Sequence, residues 1–307
     1  METNNRRDFL KKAALAGASA LVAPSLFAAD GEGRGELSPK IKAGDLESKL
    51  IVPKNNGLKI TGTFLDEISH DIPHQNWGEK EWDLDFQHMK RIGIDTVIMI
   101  RSGYRKFMTY PSPYLLKKGC YMPSVDLVDM YLRLAEKYNM KFYFGLYDSG
   151  RYWDTGDLSW EIEDNKYVID EVWKKYGHHK SFQGWYLSQE ISRRTKNMSK
   201  IYAEVGKHAK AVSGNLSTMV SPYIHGVKTD QVMAGDKALS VKEHEEEWDE
   251  ILNNVNGAVD IMAFQDGQVD YHELYDYLVI NKKLADKYNM KCWTNIESFD
   301  RDMPIRF

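Results

Sequence analysis

The sequence predicts an α/β fold, a (β/α)8 TIM barrel with seven of its eight units present. Three observations lead there. From Leu58 onward, apolar runs of strand length alternate with helical periods, the pattern of a parallel sheet covered by helices. Runs such as Val97-Ile98-Met99-Ile100 are apolar at consecutive positions, as a sheet buried on both faces requires. Third, Leu134-Ala135-Glu136-Lys137-Tyr138-Asn139-Met140-Lys141 recurs as Leu284-Ala285-Asp286-Lys287-Tyr288-Asn289-Met290-Lys291. The two copies lie four units apart, about 37 residues per unit, an ordinary spacing for this barrel. In each, Asn139 or Asn289 reads as the C-cap of a helix entering a strand.

The first 29 residues read as an address. Asn5-Arg6-Arg7-Asp8-Phe9-Leu10-Lys11-Lys12 is followed by the apolar run Ala13 to Val22, then by the small-residue zone Ala23 to Ala29. That is the order of a cleavable export signal, and its paired arginines are those of a twin-arginine leader. The run is too short to span a bilayer, so no membrane anchor is expected once it is removed. The twin-arginine export machinery is then the precursor's partner, and the mature protein is periplasmic or exported. Loss of the leader takes the formal charge from −4 to −6. A mildly acidic chain without a basic stripe argues against nucleic acid and suits an uncharged polymer. Residues 30–57 read as a polar linker, with Lys49 to Pro53 as a short strand or lid, and 58–307 as the barrel.

Within the barrel, strands are expected near 58–65, 95–100, 141–147, 182–188, 216–220, 259–264 and 291–296. Helices are expected near 81–92, 124–138, 161–176, 196–212, 242–254 and 270–288. Met303 to Phe307 reads as the middle of a loop, so the eighth unit is expected beyond it; a hidden strand near Ile51 is the alternative. An open dinucleotide-binding sheet would carry a glycine-rich first turn, but Leu65-Asp66-Glu67-Ile68-Ser69-His70 has no glycine. The acids from Glu243 to Glu250 open a helix, where they complement its dipole. Cys120 in a top loop and Cys292 at a strand start lie at opposite ends and are not expected to pair.

In this fold the loops after the strands build the site. The fourth strand tip, Phe182-Gln-Gly-Trp-Tyr-Leu-Ser-Gln-Glu190, and the seventh, Cys292-Trp-Thr-Asn-Ile-Glu297, each end in a glutamate. Two carboxylates at two tips are the minimum for cleaving a glycosidic bond, so Glu190 and Glu297 are the catalytic candidates. Arg101, Tyr147, Asp148, Trp153, Gln189, Tyr223, Gln265, Asp266 and Asn295, on the remaining tips, are the substrate-binding candidates. They combine flat aromatic surface with hydrogen-bonding groups, which suits a carbohydrate. No metal site is expected: His70 and His74 have helical spacing, but Pro73 between them breaks a helix. No cofactor motif is found.

These residues resemble clan-A glycoside hydrolases, retaining enzymes on (β/α)8 barrels. The resemblance implies that Glu190 is the acid/base, that Glu297 is the nucleophile, and that Arg101 orients the nucleophile and lowers its pKa. More closely, residues 58–307 are similar to an exported bacterial barrel family of unknown function, through Ile60-Thr-Gly-Thr-Phe64 and Gly184-Trp-Tyr-x-x-x-Glu190. The chain departs from the clan at Gln189, where asparagine is usual, and at Phe264-Gln265-Asp266, where Tyr or His is common. Two functions follow as expectations: a retaining hydrolase, or a non-catalytic glycan-binding barrel that kept the cleft.

The leader is tested first. Replacing Arg6 and Arg7 by lysine should leave the precursor in the cytoplasm, as cell fractionation would show. Mature protein still reaching the periplasm would contradict the twin-arginine reading.

Overall fold

The computed structural model describes residues 59–68, 77–152, 157–190, 198–232 and 236–297. Within them the chain alternates strand and helix as its apolar periods dictate. β1 (Gly62–Leu65) leads to α1 (Glu79–Ile92) and β2 (Thr96–Met99). A hairpin of β3 (Gly103–Tyr104) and β4 (Phe107–Met108) and the short α2 (Pro113–Lys117) precede α3 (Leu127–Lys137) and β5 (Lys141–Gly145). After β6 (Tyr147–Asp148) come α4 (Ser159–Tyr176), β7 (Phe182–Tyr186), α5 (Met198–Val212) and β8 (Ser217–Val220). The last elements are α6 (Thr229–Val232), α7 (Val241–Val255), β9 (Ile261–Gln265), α8 (Tyr271–Lys287) and β10 (Lys291–Asn295).

Seven strands form one parallel sheet in the order β1-β2-β5-β7-β8-β9-β10. Each unit adds the next neighbour, as in a singly wound barrel, and among the described residues β1 and β10 are the edges. The expected strands and helices are all present, with ends shifted by a few residues. The sequence reading missed β3, β4, β6, α2 and α6, which are too short to show a period. The leader, the linker and the strand or lid near Ile51 lie outside the described residues. Among those described, no helix is long and apolar enough to cross a membrane.

Side chains alternate between two cores. Ile98, Tyr143, Tyr186, Met219, Ile261 and Ala263 form a cluster made of strand residues alone, with Phe64, Ile100 and Trp293 packed on it. Two ring contacts in it reach past neighbouring strands. Phe64 on β1 meets Tyr186 on β7 at 5.4 Å, and Tyr143 on β5 meets Trp293 on β10 at 6.1 Å. A flat sheet holds strands that far apart beyond side-chain reach, so the sheet is curled around this cluster. The larger core joins the outer strand faces to the helices, with Trp185 and Trp248 fully buried in it.

The repeated octapeptide shows how a helix is turned into a strand. Asn139 and Asn289 take φ of 49° and 55°, a left-handed conformation that asparagine tolerates. They stand one position past the capping residues, Tyr138 and Tyr288. The next residues, Met140 and Met290, donate back to Ala135 and Ala285, each at 2.8 Å, closing the helix as a Schellman turn does. Each copy also grips a neighbouring helix, α1 for the first and α7 for the second. Tyr138 and Lys137 hold Asp83, and Tyr288 and Lys287 hold Asp249. The acidic run on α7 supplies a capping box, Ser240 with Glu243. It also pairs Glu245 and Asp249 with Lys283 and Lys287 of α8. Cys120 is buried and Cys292 half-buried, and both are free thiols.

Gly145 ends β5 against the end of β2. A Cβ there would stand 2.0 Å from the Met99 carbonyl oxygen, so only glycine lets the second and third strand tips meet. Gly145→Ala should cost about 1–3 kcal/mol, the usual range for overpacking, and lower the melting temperature. An unchanged denaturation midpoint would contradict this contact.

Candidate active site

The tips of the first four strands converge on one cation. Arg101 lies two residues past the end of β2. It faces Asp66 (Nη1 to Oδ2, 3.4 Å), Asp148 (Nε to Oδ2, 3.4 Å) and Glu190 (Nη2 to Oε2, 3.9 Å). The Asp66 and Asp148 side chains are 3 % and 1 % exposed, against 14 % for Arg101 and 16 % for Glu190. The Tyr104 ring covers the guanidinium, its centroid 5.4 Å away. Burial opposes the charge of Arg101, but Glu190, Asp148 and Asp66 outweigh it and push the guanidinium pKa further up. The resemblance directs Arg101 toward Glu297; in the structure its guanidinium sits against Glu190, Asp148 and Asp66.

Burial pushes the Asp148 carboxyl up, although Arg101 and the Gly150 amide, donating at 2.8 Å, hold it down. Gly150 can aim that amide because it takes φ of 69°, which costs glycine little. Burial also raises Glu190 above its usual range. Arg101, the Tyr223 hydroxyl and the Gln265 amide act against that rise. Tyr223 donates to Oε2 of Glu190, and Gln265 donates to Oε1 at 3.2 Å.

Gln265 also donates to the Ser221 carbonyl at 2.6 Å, and Asn295 to the Ser221 hydroxyl at 3.0 Å. Asp266, next in the chain, accepts the Glu297 amide at 2.9 Å. The β9 tip therefore lies between the two glutamates, one hydrogen bond from the Glu190 side chain and one from the Glu297 backbone. The Glu297 carboxyl rests on Gly267, where a Cβ would come within 2.0 Å of Oε2.

The sequence candidates thus divide. Arg101, Asp148, Tyr223 and Gln265 surround Glu190, while Asp266 borders Glu297 and Asn295 braces the wall between them. Tyr147 and Gln189 are turned away from the cleft. The Tyr147 hydroxyl donates to the Arg105 carbonyl at 2.6 Å, propping the β3–β4 hairpin. The buried Gln189 amide donates to the Tyr147 carbonyl at 3.0 Å and to Glu161 at 3.3 Å. Trp153, His70 and His74 lie outside the described residues. The candidate set omitted two carboxylates. Asp66 was legible as a first-strand tip but had no visible partner; Glu161 was hidden in a helix. Among the described residues, no group of three or more His, Cys, Asp or Glu is arranged to hold a metal ion.

A family model described as "Domain of unknown function (DUF4434)" matches residues 60–307, and the chain belongs to that family. It is 75 % identical to a Bacteroides thetaiotaomicron VPI-5482 crystal structure described as a "putative alpha-L-fucosidase", with a TM-score of 0.80. That match covers 84 % of this chain and 82 % of the other. An endo-1,4-beta-mannanase from Rhizomucor miehei matches at 12 % identity and a TM-score of 0.48, covering 77 % of this chain and 85 % of the mannanase. No protein of curated function matches.

The Arg101 cluster makes a signed prediction. Removing one partner of a buried ion pair costs about 3–5 kcal/mol, so Arg101→Met should destabilise on that scale at neutral pH. Asp148 and Glu190 are raised already, and without the cation they rise further. A raised carboxylate weighs on folding only where the unfolded chain ionises it, above about pH 4. The deficit should therefore shrink as pH falls toward 4. Urea unfolding at pH 4.5 and 7.5 checks this; a deficit that grows on acidification contradicts it.

Proposed function

We propose that this barrel is a retaining glycoside hydrolase, with Glu190 as acid/base and Glu297 as nucleophile. One observation carries the reading. Glu190, on the fourth strand tip, has its pKa raised by burial while Tyr223 and Gln265 fix its orientation. Glu297 rises from the seventh tip at the same end of the sheet. A carboxyl with a raised pKa gives its proton to a leaving oxygen more readily near neutral pH, while an ionised one attacks carbon. Glu190 would protonate the glycosidic oxygen as Glu297 bonds to the anomeric carbon. The aglycone leaves, and Glu190 then takes a proton from the water that releases the sugar. This route needs the carboxyls about 5–5.5 Å apart.

The description of the 75 % identical relative makes α-L-fucosides the first substrates to test. On the twin-arginine reading of the leader, this chemistry would take place in the periplasm or outside the cell.

A second reading has its own support. The Glu297 carboxyl rests on Gly267 at the wall, a pose suited to a barrel that binds a glycan without cleaving it.

Two substitutions separate the readings. General acid help is worth about 10²–10⁴-fold. Glu190→Gln should lower kcat/KM for alkyl glycosides on that scale, yet spare kcat/KM for aryl glycosides whose leaving group needs no proton; release of the sugar, which needs the base, slows for both. Glu297→Gln should abolish hydrolysis of both. If both variants keep parental turnover, the site lies elsewhere. If the parent binds glycans and cleaves none, the receptor reading stands.

A further inference from the structure

Glu161 belongs to no strand tip, yet it is fully buried at the start of α4. Its Oε1 accepts both the amide of Ser149, at 3.0 Å, and the Ser149 hydroxyl. Its Oε2 accepts the Gln189 amide at 3.3 Å. Ser149 follows Asp148, which faces Arg101; Gln189 precedes Glu190. One carboxylate thus joins the third strand tip to the fourth, behind the groups that face the cleft. One helical turn on, Asn165 completes the tie. It accepts the Tyr147 amide at 2.9 Å and donates to the Tyr147 and Glu161 carbonyls, each at 2.9 Å. The Tyr202 hydroxyl donates to the Gln189 carbonyl at 2.5 Å, securing the same segment from α5.

We infer that Glu161 is a positioning residue that sets where the Glu190 carboxyl stands relative to Arg101 and the scissile bond. This rests on the hydrolase reading above. A buried carboxylate is costly unless its oxygens are satisfied, so its retention in a helix stripe that otherwise packs Ile169, Val172 and Tyr176 calls for a role. Burial pushes this carboxyl up to about 7, against the two Ser149 donors, which hold it down. No substrate atom need reach it. Its effect passes through the backbone of residues 147–149 and 189–190.

Misplacing a reacting group by about 1 Å can cost 10²-fold in rate. Glu161→Ala and Glu161→Gln would be compared with the parent in two measurements. Hydrogen exchange reads the Ser149 amide. Steady-state kinetics compare alkyl glycosides, which need a proton from Glu190, with activated aryl glycosides, which do not. In Glu161→Ala, Ser149 protection should fall at least about tenfold. Its kcat/KM on alkyl glycosides should drop by about 10²-fold, with kcat/KM on activated aryl glycosides nearly unchanged. Glu161→Gln keeps an acceptor for Ser149 but turns an amide group toward Gln189, so its loss should be smaller. It also decides the matter if the alanine variant fails to fold.

Parental Ser149 protection, or equal losses of kcat/KM on alkyl and aryl substrates, would overturn the inference. If the parent cleaves no glycoside, the hydrolase reading falls by itself. Glycan titration then replaces kinetics: weaker binding together with lost Ser149 protection supports a positioning role, and unchanged values of both overturn it.

Discussion

One guanidinium among three carboxylates is the constraint on which the rest depends. Asp66, Asp148 and Glu190 come from three separate strand tips, and like charges brought so close repel one another. Arg101 makes their convergence tolerable. The same arrangement sets opposed influences on Glu190: desolvation raises its pKa, while Arg101, Tyr223 and Gln265 oppose the rise. A carboxyl poised by such opposed influences can both give and take a proton.

The surrounding architecture exists to bring those tips together. Gly145 lets β5 approach β2 where a side chain would collide with the Met99 carbonyl. The strand-only cluster, bridged by Tyr143 and Trp293, curls the sheet so that tips distant along it share one end. The helices close the outer face, and the Asn-Met turns at Asn139 and Asn289 return the chain to the strands.

Much of this was legible in the sequence. Consecutive apolar residues in Val97–Ile100 and Ile261–Phe264 announced strands covered on both sides. Glu190 and Glu297 announced themselves by ending apolar runs. What failed was orientation. Alternation would put Tyr147 on the same face as Tyr143, facing the cleft, but the chain breaks at Leu146 and Tyr147 joins the outer core instead. The partners of Arg101 were unreadable because sequence order names the tips without saying which side chains lean together. Glu161 lies in the first turn of its helix, where an acid also favours the dipole. A sharper signal was available: Glu161 and Asn165 interrupt the stripe that continues through Ile169, Val172 and Tyr176, and polar groups at core positions need buried partners.

The most direct test of the central claim is to trap the covalent intermediate. A 2-deoxy-2-fluoro glycoside with a good leaving group destabilises the oxocarbenium-like transition state, slowing release of the sugar from a retaining enzyme. Peptide mass spectrometry of the treated protein should find one fluorosugar, on the Glu297 carboxyl. A fluorosugar on Glu190, or steady turnover of the parent glycoside with no adduct on either glutamate, would contradict the account.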